Sequence, residues 1–396
     1  MTEHATRPAP LPPTRQRILE VDALRGFALG GILLVNALSM AGPGYGLPGD
    51  GTRPDADGVA EWLVVALVQA KFYVLFSFLF GYSFTLQMES ADRAGARFGP
   101  RMSRRLLGLF VLGLLHAVFL YTGDILMTYA LLGLVLLAAR SAGPSGARTA
   151  ALWVFGVASS LLLLVGLLGL LVSDPAGEAA IAAEAGPEAA RLIAAYQGDF
   201  TDVVAENISF WPEYLAGILL MGGFVVAAFL TGLAAGKRQW ITHTTPARLR
   251  RMCVTGLCVG LPGAVLLAAG TVGPLPPRWE LFALAVGTVT APALTAAYAS
   301  ALLLWLRTPR GARTVAALAP AGRMALTNYL TQSLVMALIF TGYGFGLYGR
   351  AGAAAVVCGA VVLYAAQLAL SARLMRRYRL GPVEWLLRAV TVAGRP

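Results

Sequence analysis

The sequence has too little charge and too few cysteines for the common classes of soluble protein. Only 13% of its 396 residues are charged, where a soluble globular domain carries about 25%. Two or three soluble domains could not be coated with so little polar surface. The three cysteines lie in apolar runs and have neither CxxC nor Cys/His spacing, so a disulfide scaffold is excluded and no metal site is predicted. A Walker motif is also absent, and no ATP-driven pump is predicted.

Long apolar runs fill the chain instead. Hydrophobic residues make up 57% of it, and the mean hydropathy is +0.69. Runs of about 15 to 27 residues predict an all-α polytopic membrane protein with about ten transmembrane helices. The first run is interpreted as an uncleaved span, because similar runs continue to the C-terminus. The predicted spans start near Leu24, Trp62, Leu106, Ile125, Thr149, Trp211, Met252, Trp279, Met324 and Ala351.

The charged residues indicate how these spans are oriented. With a cytoplasmic N-terminus and alternating spans, the inner segments hold 26 basic residues and the outer segments 4. Of the 20 acidic residues, 14 fall outside. This distribution predicts that both termini are cytoplasmic. The net charge of +11 does not indicate a nucleic-acid partner, because the basic residues occur in short clusters between apolar runs.

Composition divides the chain into four segments. Proline-rich residues 1–20 are interpreted as a disordered cytoplasmic tail, and 173–210 as an acidic extracytoplasmic segment with short helices. That segment holds seven acidic residues and a single basic one, Arg191. Residues 21–172 and 211–396 are interpreted as an N-terminal and a C-terminal half of five helices each.

One histidine lies inside a predicted span, and this makes it the first functional candidate. His116 follows Arg105 by eleven residues, which is about 16 Å along a helix. Asp124 follows at the outer turn. A carboxylate beside an imidazole fixes its tautomer, an arrangement that suits a general base. In the alternative interpretation His116 bonds a neighbouring carbonyl and Asp124 caps the next helix.

Three further polar residues lie in the first two spans. Arg25, just after Asp22, either anchors the inner end of the first span or binds the phosphate of a cytoplasmic donor with its bidentate guanidinium. Asn36 lies eleven residues further on, three turns up almost the same helix face. Lys71 either extends to the outer interface or lines a polar cavity.

The ninth predicted span carries a polar face. Asn328, Thr331 and Gln332 stand at helical spacing. They indicate either helix–helix hydrogen bonds or a polar pocket. The nearby GxGxxG pattern at 344–349 does not indicate a dinucleotide site, since no strand precedes it and no acidic residue follows at the required spacing.

Five strings stand in order along the chain: DALRGFALGGILLVN, KFYVLFSFLFG, GLLHAVFLYTGDILMTYALLG, GRMALTNYLTQS and GPVEWLLR. In this order and spacing they resemble the YeiB-like family of bacterial membrane proteins. The similarity runs from about Val21 to Arg388. The family groups with transmembrane acyltransferases, whose relatives include heparan-α-glucosaminide N-acetyltransferase.

The resemblance implies a ten- or eleven-helix enzyme of the bacterial cytoplasmic membrane. Such an enzyme moves an acyl group, often acetyl, from cytoplasmic acyl-CoA to an acceptor deeper in the membrane or beyond it. Relatives of the glucosaminide enzyme carry a histidine in the loop after the first span, and this chain has none there, which leaves His116 as the intramembrane candidate. The family motifs fall on Arg25, Lys71, His116, Asp124, Asn328 and Gln332.

The expected function is therefore acyl transfer, with acyl-CoA as co-substrate and no permanently bound cofactor. His116, oriented by Asp124, is either the base or the group that becomes acylated. Arg25 is the expected donor ligand. The expected partners are membrane lipids and a small-molecule, glycan or lipid acceptor; a homodimer is left open. Candidates for contacting the substrate or its oxyanion are Lys71, Asn36, Asn328, Gln332 and Tyr129.

Two other classes of function stay open at this point. The same buried polar groups could serve a transporter or exporter of a small amphiphile or lipid. A membrane enzyme of the cyclase type, acting on a prenyl or polyketide-like lipid, would use Asp124 or Glu213 as its acid. The chain has no DDxxD motif for a diphosphate-bound metal, and this class ranks last.

Overall fold

The computed structural model describes residues 13–43 and 55–393, which form sixteen α-helices and no β-strand. Of the predicted disordered tail, residues 1–12 lie outside the described residues and 13–20 already belong to the first helix. The helices are α1 (Pro13–Ala41), α2 (Ala56–Leu67), α3 (Lys71–Arg93), α4 (Phe98–Phe119), α5 (Leu126–Ala138), α6 (Pro144–Val172), α7 (Pro175–Gln197), α8 (Phe200–Ser209), α9 (Trp211–Lys237), α10 (Trp240–His243), α11 (Pro246–Thr271), α12 (Glu280–Leu306), α13 (Gly311–Arg323), α14 (Ala325–Phe340), α15 (Ala353–Arg377) and α16 (Pro382–Val392).

Every predicted span corresponds to helical structure. In the described part of the chain, eight stretches are long and apolar enough to cross a membrane, with α2 and α3 counted as one stretch of 38 residues. The fourth and ninth predicted spans form the shorter apolar helices α5 and α14. The protein is therefore an all-α polytopic membrane protein, as predicted.

The loops between spans collect at two ends of the helix bundle. The arginine-rich end comprises the segments 93–98, 140–144, 237–246, 306–311 and 377–382. The acidic end comprises 119–126, 172–211, 271–280 and 340–353. At the arginine-rich end, the guanidinium of Arg307 forms two 3.0 Å hydrogen bonds with the carboxylate of Glu20 and so ties α12 to α1. At the acidic end, the N–H of Gly349 donates to the carbonyl of Ala41 at 2.7 Å.

The two predicted five-helix halves share one packed core. Helix α1 packs against α13, α14 and α15, and α3 packs against α9 and α12. Glycines allow the close approach of α3 and α9: a Cβ at Gly81 would lie 2.0 Å from the carbonyl oxygen of Phe229, and one at Gly232 would lie 2.1 Å from that of Phe78. Side chains brought in from both halves can therefore meet in one site.

The second predicted span is broken into two helices. Residues 68–70 form a turn, and Ala70 has a left-handed backbone with φ 68°. The ammonium of Lys71, whose residue is only 1% exposed, donates to the carbonyl of Val65 at 3.3 Å. Lys71 therefore satisfies a backbone carbonyl at the end of α2, where the helix has no further N–H groups to do so.

The acidic segment forms the predicted helices, α7 and α8, at the acidic end. Asp174 caps α7, and Asp199 caps α8 through a capping box with Asp202. Arg191 of α7 bridges to Glu206 of α8 at 2.7 Å. Helix α8 packs against α4, the span that carries His116. Helices α7 and α8 therefore lie over the acidic end of that span.

Candidate functional site

His116 and Asp124 form a buried pair at the acidic end of α4. The Nδ1 atom of His116 lies 2.9 Å from Oδ2 of Asp124, and both side chains are fully buried. The carboxylate does not lie along the direction of the ring N–H bond. The contact is therefore close, but it is not a well-aligned hydrogen bond. The other carboxylate oxygen accepts the backbone N–H of Met127 at 2.6 Å. Asp124 thus faces the imidazole and caps α5 at once.

The second ring nitrogen of His116, Nε2, is buried. It has no hydrogen-bond partner among the described residues. The rings of Tyr329 and Tyr121 lie around it, with centroids 5.0 Å and 6.3 Å from the imidazole. A buried polar atom without a partner is destabilising, and it is a position at which a bound molecule could form a hydrogen bond.

Residues that the sequence did not single out hold this pair in place. The hydroxyl of Tyr214, from α9, donates to the carbonyl of Asp124 at 3.2 Å and contacts the hydroxyl of Thr128 at 2.7 Å. Gly113 leaves space one turn before His116, where a Cβ would lie 2.4 Å from the N of Met127 and 2.6 Å from Oδ1 of Asp124. The sequence contained one signal for this arrangement: Gly113 precedes His116 by three residues and so lies on the same helix face.

A cavity of about 470 Å³ leads from the arginine-rich end toward the pair. Its deep end is formed by Ile125, Leu126, Tyr129 and Tyr329. His116 is not among the described residues that line the cavity; Tyr329 does line it, and its ring packs against the imidazole with centroids 5.0 Å apart. Five arginines line the wide part, namely Arg25, Arg101, Arg105, Arg323 and Arg388.

The acids near this cavity leave its positive charge largely uncompensated. Arg25 donates to Asp22 at 2.5 Å and to the hydroxyl of Ser83. Among the described residues that line it, the one acid is Glu384, which accepts the N–H groups of Leu326 and Thr327 at 2.7 and 3.0 Å and so caps α14. The cavity is thus suited to an anion with more than one charge, because guanidinium groups bind phosphate in a bidentate manner.

The predicted substrate contacts are spread over four places: the cavity, the break between α2 and α3, helix α1 and the polar face of α14. Tyr129 lines the cavity, although its hydroxyl already bonds that of Ser77 at 2.6 Å. Lys71 lies at the break between α2 and α3, and Asn36 lies half-buried on α1. Neither Lys71 nor Asn36 is among the described residues that line the cavity.

Asn328 and Gln332 form a hydrogen-bond network with α15. The amide of Asn328 donates to Ser371 at 3.0 Å, and that of Gln332 donates to Gln367 at 2.7 Å. Gln367 donates in turn to Thr331 at 2.9 Å. Of the two interpretations of this polar face, the structure favours hydrogen bonds between helices. Glu213, the alternative acid of the cyclase hypothesis, is exposed at the start of α9.

Fold and site define a class of protein: a helical, multi-pass membrane protein with a buried His–Asp pair beyond an arginine-lined cavity. Comparison with known sequences gives the family. The chain is 33% identical to the uncharacterized protein YxaH of Bacillus subtilis over 399 residues, covering 96% of this chain and 95% of YxaH. It is 29% identical to the uncharacterized protein YeiB of Escherichia coli over 406 residues, covering 95% and 97%. The protein belongs to this YeiB-like family.

Two further similarities agree with this placement. An uncharacterized 39.9 kDa protein encoded 3′ of an amylase in Bacillus acidopullulyticus is 28% identical over 393 residues, covering 95% of this chain and 94% of that protein. A family described as a protein of unknown function (DUF418) matches residues 235–394. This match covers α14, α15 and α16 and therefore the Asn328–Gln332 network and Glu384, whereas His116 and Asp124 lie before it.

Proposed function

We propose that the protein is a membrane-embedded acyltransferase of the bacterial cytoplasmic membrane. It takes an acyl group, acetyl being the simplest, from acyl-CoA and transfers it to a hydroxyl or amine of a small-molecule, glycan or lipid acceptor. The observation that carries the proposal is the placement of a buried His–Asp pair beyond a cavity lined by five arginines. The resemblance to transmembrane acyltransferases points in the same direction.

The arginines account for binding of the donor. Coenzyme A carries phosphate groups at one end and the thioester at the other. Its phosphates would bind near Arg101, Arg323 and Arg388 at the arginine-rich end, and the thioester would point toward Tyr329. This orientation requires the arginine-rich end to be cytoplasmic, in agreement with the positive-inside distribution.

The histidine accounts for the chemistry. Nε2 of His116 would take the proton of the acceptor O–H or N–H while the acceptor atom attacks the thioester carbonyl carbon. The C–S bond then breaks, and the coenzyme A thiolate takes the proton back from the imidazolium. Asp124 holds the ring and stabilises the imidazolium. The Tyr329 ring has to turn aside for the substrates to reach Nε2, because it lines the cavity and packs against the imidazole.

A transporter remains the second candidate, and one observation favours it. Helix α2 ends and α3 begins inside a single apolar stretch, and broken helices form the substrate sites of many transporters. The two functions differ in what happens to the donor. A transferase consumes acyl-CoA and forms an acylated product, whereas a transporter leaves the thioester intact.

The decisive experiment uses purified protein in detergent with acetyl-CoA labelled in the acetyl group. Binding of coenzyme A and transfer of the label to small hydroxyl and amine acceptors are measured together. Arg101→Gln and Arg388→Gln should each weaken binding about tenfold or more. Arg313→Gln, at the same end but outside the cavity lining, is the matched control. Label that stays on coenzyme A, with binding insensitive to the cavity arginines, contradicts the proposal.

A further inference from the structure

A second cavity lies on the opposite face of α3. It has a volume of about 490 Å³ and is bounded by α3, α6, α9, α11 and α12. Val74, Leu75 and Phe78 of α3 line it, whereas Phe76 and Leu79 line the first cavity. Helix α3 therefore separates the two cavities, and the second one belongs to no part of the acyl-transfer site.

Charge in this second cavity is confined to one end. Arg148 in the first turns of α6, Arg238 at the end of α9 and Arg248 at the start of α11 line it at the arginine-rich end of the bundle. All three residues are exposed. No aspartate or glutamate is among the described lining residues, so this end of the cavity carries a net positive charge that favours an anion.

The rest of the cavity is deep and mostly apolar, with Thr231, Thr295 and Ser300 as its hydroxyl side chains. Phe155, Phe224 and Pro292 line it, and Leu152, 64% exposed on α6, lies on the side that faces the bilayer. From Arg238 back to Phe224 is fourteen residues of α9, which is about 21 Å. One leaflet contributes half of a hydrocarbon core of about 30 Å. The apolar part is therefore long enough for an acyl chain that starts at the headgroup level.

We propose that this cavity binds one anionic phospholipid. The phosphate would lie among Arg148, Arg238 and Arg248, and an acyl chain would run along α9 between α3 and α6. The lipid comes from the leaflet at the arginine-rich end. Both features are needed for this ligand: basic pockets between transmembrane helices bind anionic headgroups, and the apolar depth selects a molecule with a chain over a free anion.

The test measures lipid binding by the full-length protein in detergent. Delipidated protein is titrated with dioleoyl phosphatidylglycerol, and bound lipid is counted by native mass spectrometry. Dioleoyl phosphatidylcholine provides the zwitterionic comparison, and inorganic phosphate provides the anion without a chain. One phosphatidylglycerol should bind more tightly than phosphatidylcholine and raise the unfolding temperature, since a ligand of the folded state stabilises it.

Two kinds of variant separate headgroup from chain. Arg238→Gln and Arg248→Gln should each weaken phosphatidylglycerol binding roughly fivefold, with little effect on phosphatidylcholine. Arg250→Gln removes the same charge from α11 two residues further on, outside the cavity lining, and should change little. Ala228→Leu narrows the apolar part without changing charge and should weaken binding of both lipids.

Three results would overturn the assignment. If the wild type binds the two lipids equally well, the arginines do not select the anionic headgroup. A loss in Arg250→Gln as large as that in Arg248→Gln reduces the effect to general surface charge. Stabilisation by inorganic phosphate equal to that by phosphatidylglycerol, with Ala228→Leu unaffected, shows an anion site without a place for a chain.

Discussion

Beside His116, the carboxylate of Asp124 fills the space that a side chain at Gly113 would need. A side chain at Gly113 would overlap the Asp124 carboxylate, since its Cβ would lie 2.6 Å from Oδ1. That carboxylate can approach Nδ1 of His116 to 2.9 Å only because position 113 has no side chain. A glycine in the middle of a helix lowers helix stability by about 1 kcal/mol, and here it makes room for the Asp124 carboxylate beside His116.

Gly113→Ala is expected to destabilise the protein by about 1–3 kcal/mol. The added methyl would also lie 2.4 Å from the backbone N of Met127, so the start of α5 has to move. Thermal unfolding in detergent measures the effect. Gly156→Ala on α6 is the matched control, because a Cβ there meets no atom within 4 Å. Equal unfolding temperatures for the two variants would contradict this account of position 113.

His116→Gln is expected to lower acyl-transfer turnover by about 10²–10⁴-fold with little loss of folded protein, because general-base catalysis contributes about that much. Glutamine keeps polarity and approximate size. Turnover and thermal stability are measured in the same detergent, with His243→Gln, an exposed histidine of α10, as control. Wild-type turnover in His116→Gln, or a loss that only parallels unfolding, would make the histidine structural.

Asp124→Asn should cost less turnover than His116→Gln. In the double variant the loss should be about the same as in His116→Gln alone, because residues that act as one unit are not additive. The kinetic cycle of wild type, two single variants and the double variant measures this coupling. Losses that simply multiply in the double variant would indicate that Asp124 acts only as the cap of α5.

Gln332→Leu should reduce stability more than catalysis. The substitution removes the 2.7 Å hydrogen bond to Gln367 and leaves the buried side-chain oxygen of Gln367 without this donor. The expected loss of folding free energy is about 1 kcal/mol. Gln332→Leu combined with Gln367→Leu should recover part of the loss. The comparison of unfolding temperature with turnover separates the two roles predicted for this face. A large fall in turnover at unchanged stability would assign Gln332 to the oxyanion.

The ion pair between Glu188 and Arg191 within α7 should weaken in acid. Hydrogen bonding to the Arg191 guanidinium holds the pKa of the exposed Glu188 carboxyl below its usual value. A depressed pKa stabilises the folded state above the usual pKa of glutamate, and this stabilisation is lost as the pH falls through the lowered value. The unfolding temperatures of wild type and Glu188→Gln should therefore differ at pH 7 and converge as the pH falls from about 4 through the lowered pKa of Glu188. A difference that persists unchanged in acid would contradict this origin.

The sequence predicted the helices well because apolar runs of sufficient length have few alternatives in a membrane. It missed the break at 68–70, since the apolar pattern continues through it and the left-handed Ala70 has no glycine to mark it. The proximity of His116 and Asp124 was predictable because eight residues separate them along the chain.

The arginine-lined cavity could not be predicted in the same way. Arg25, Arg101, Arg323 and Arg388 lie on four helices far apart in the chain, and only the packing of α1, α4, α13 and α16 brings them together. The partner of the Asn328–Gln332 face was equally hidden. Gln367 and Ser371 are two polar residues in an apolar run of α15, and their spacing gives no indication of which helix they face.

The short helices α5 and α14 have a consequence for the distance across the membrane. They have 13 and 16 residues, which is about 20 and 24 Å, against a hydrocarbon core of about 30 Å. The chain between α4 and α5 therefore turns at a depth where lipid could not satisfy its carbonyls. Asn207 of α8 donates to the carbonyl of Val118 at 3.0 Å, and Tyr343 donates to that of Phe119 at 3.1 Å. Side chains of α8 and of the segment after α14 therefore take the place of lipid around the turn between α4 and α5, close to His116.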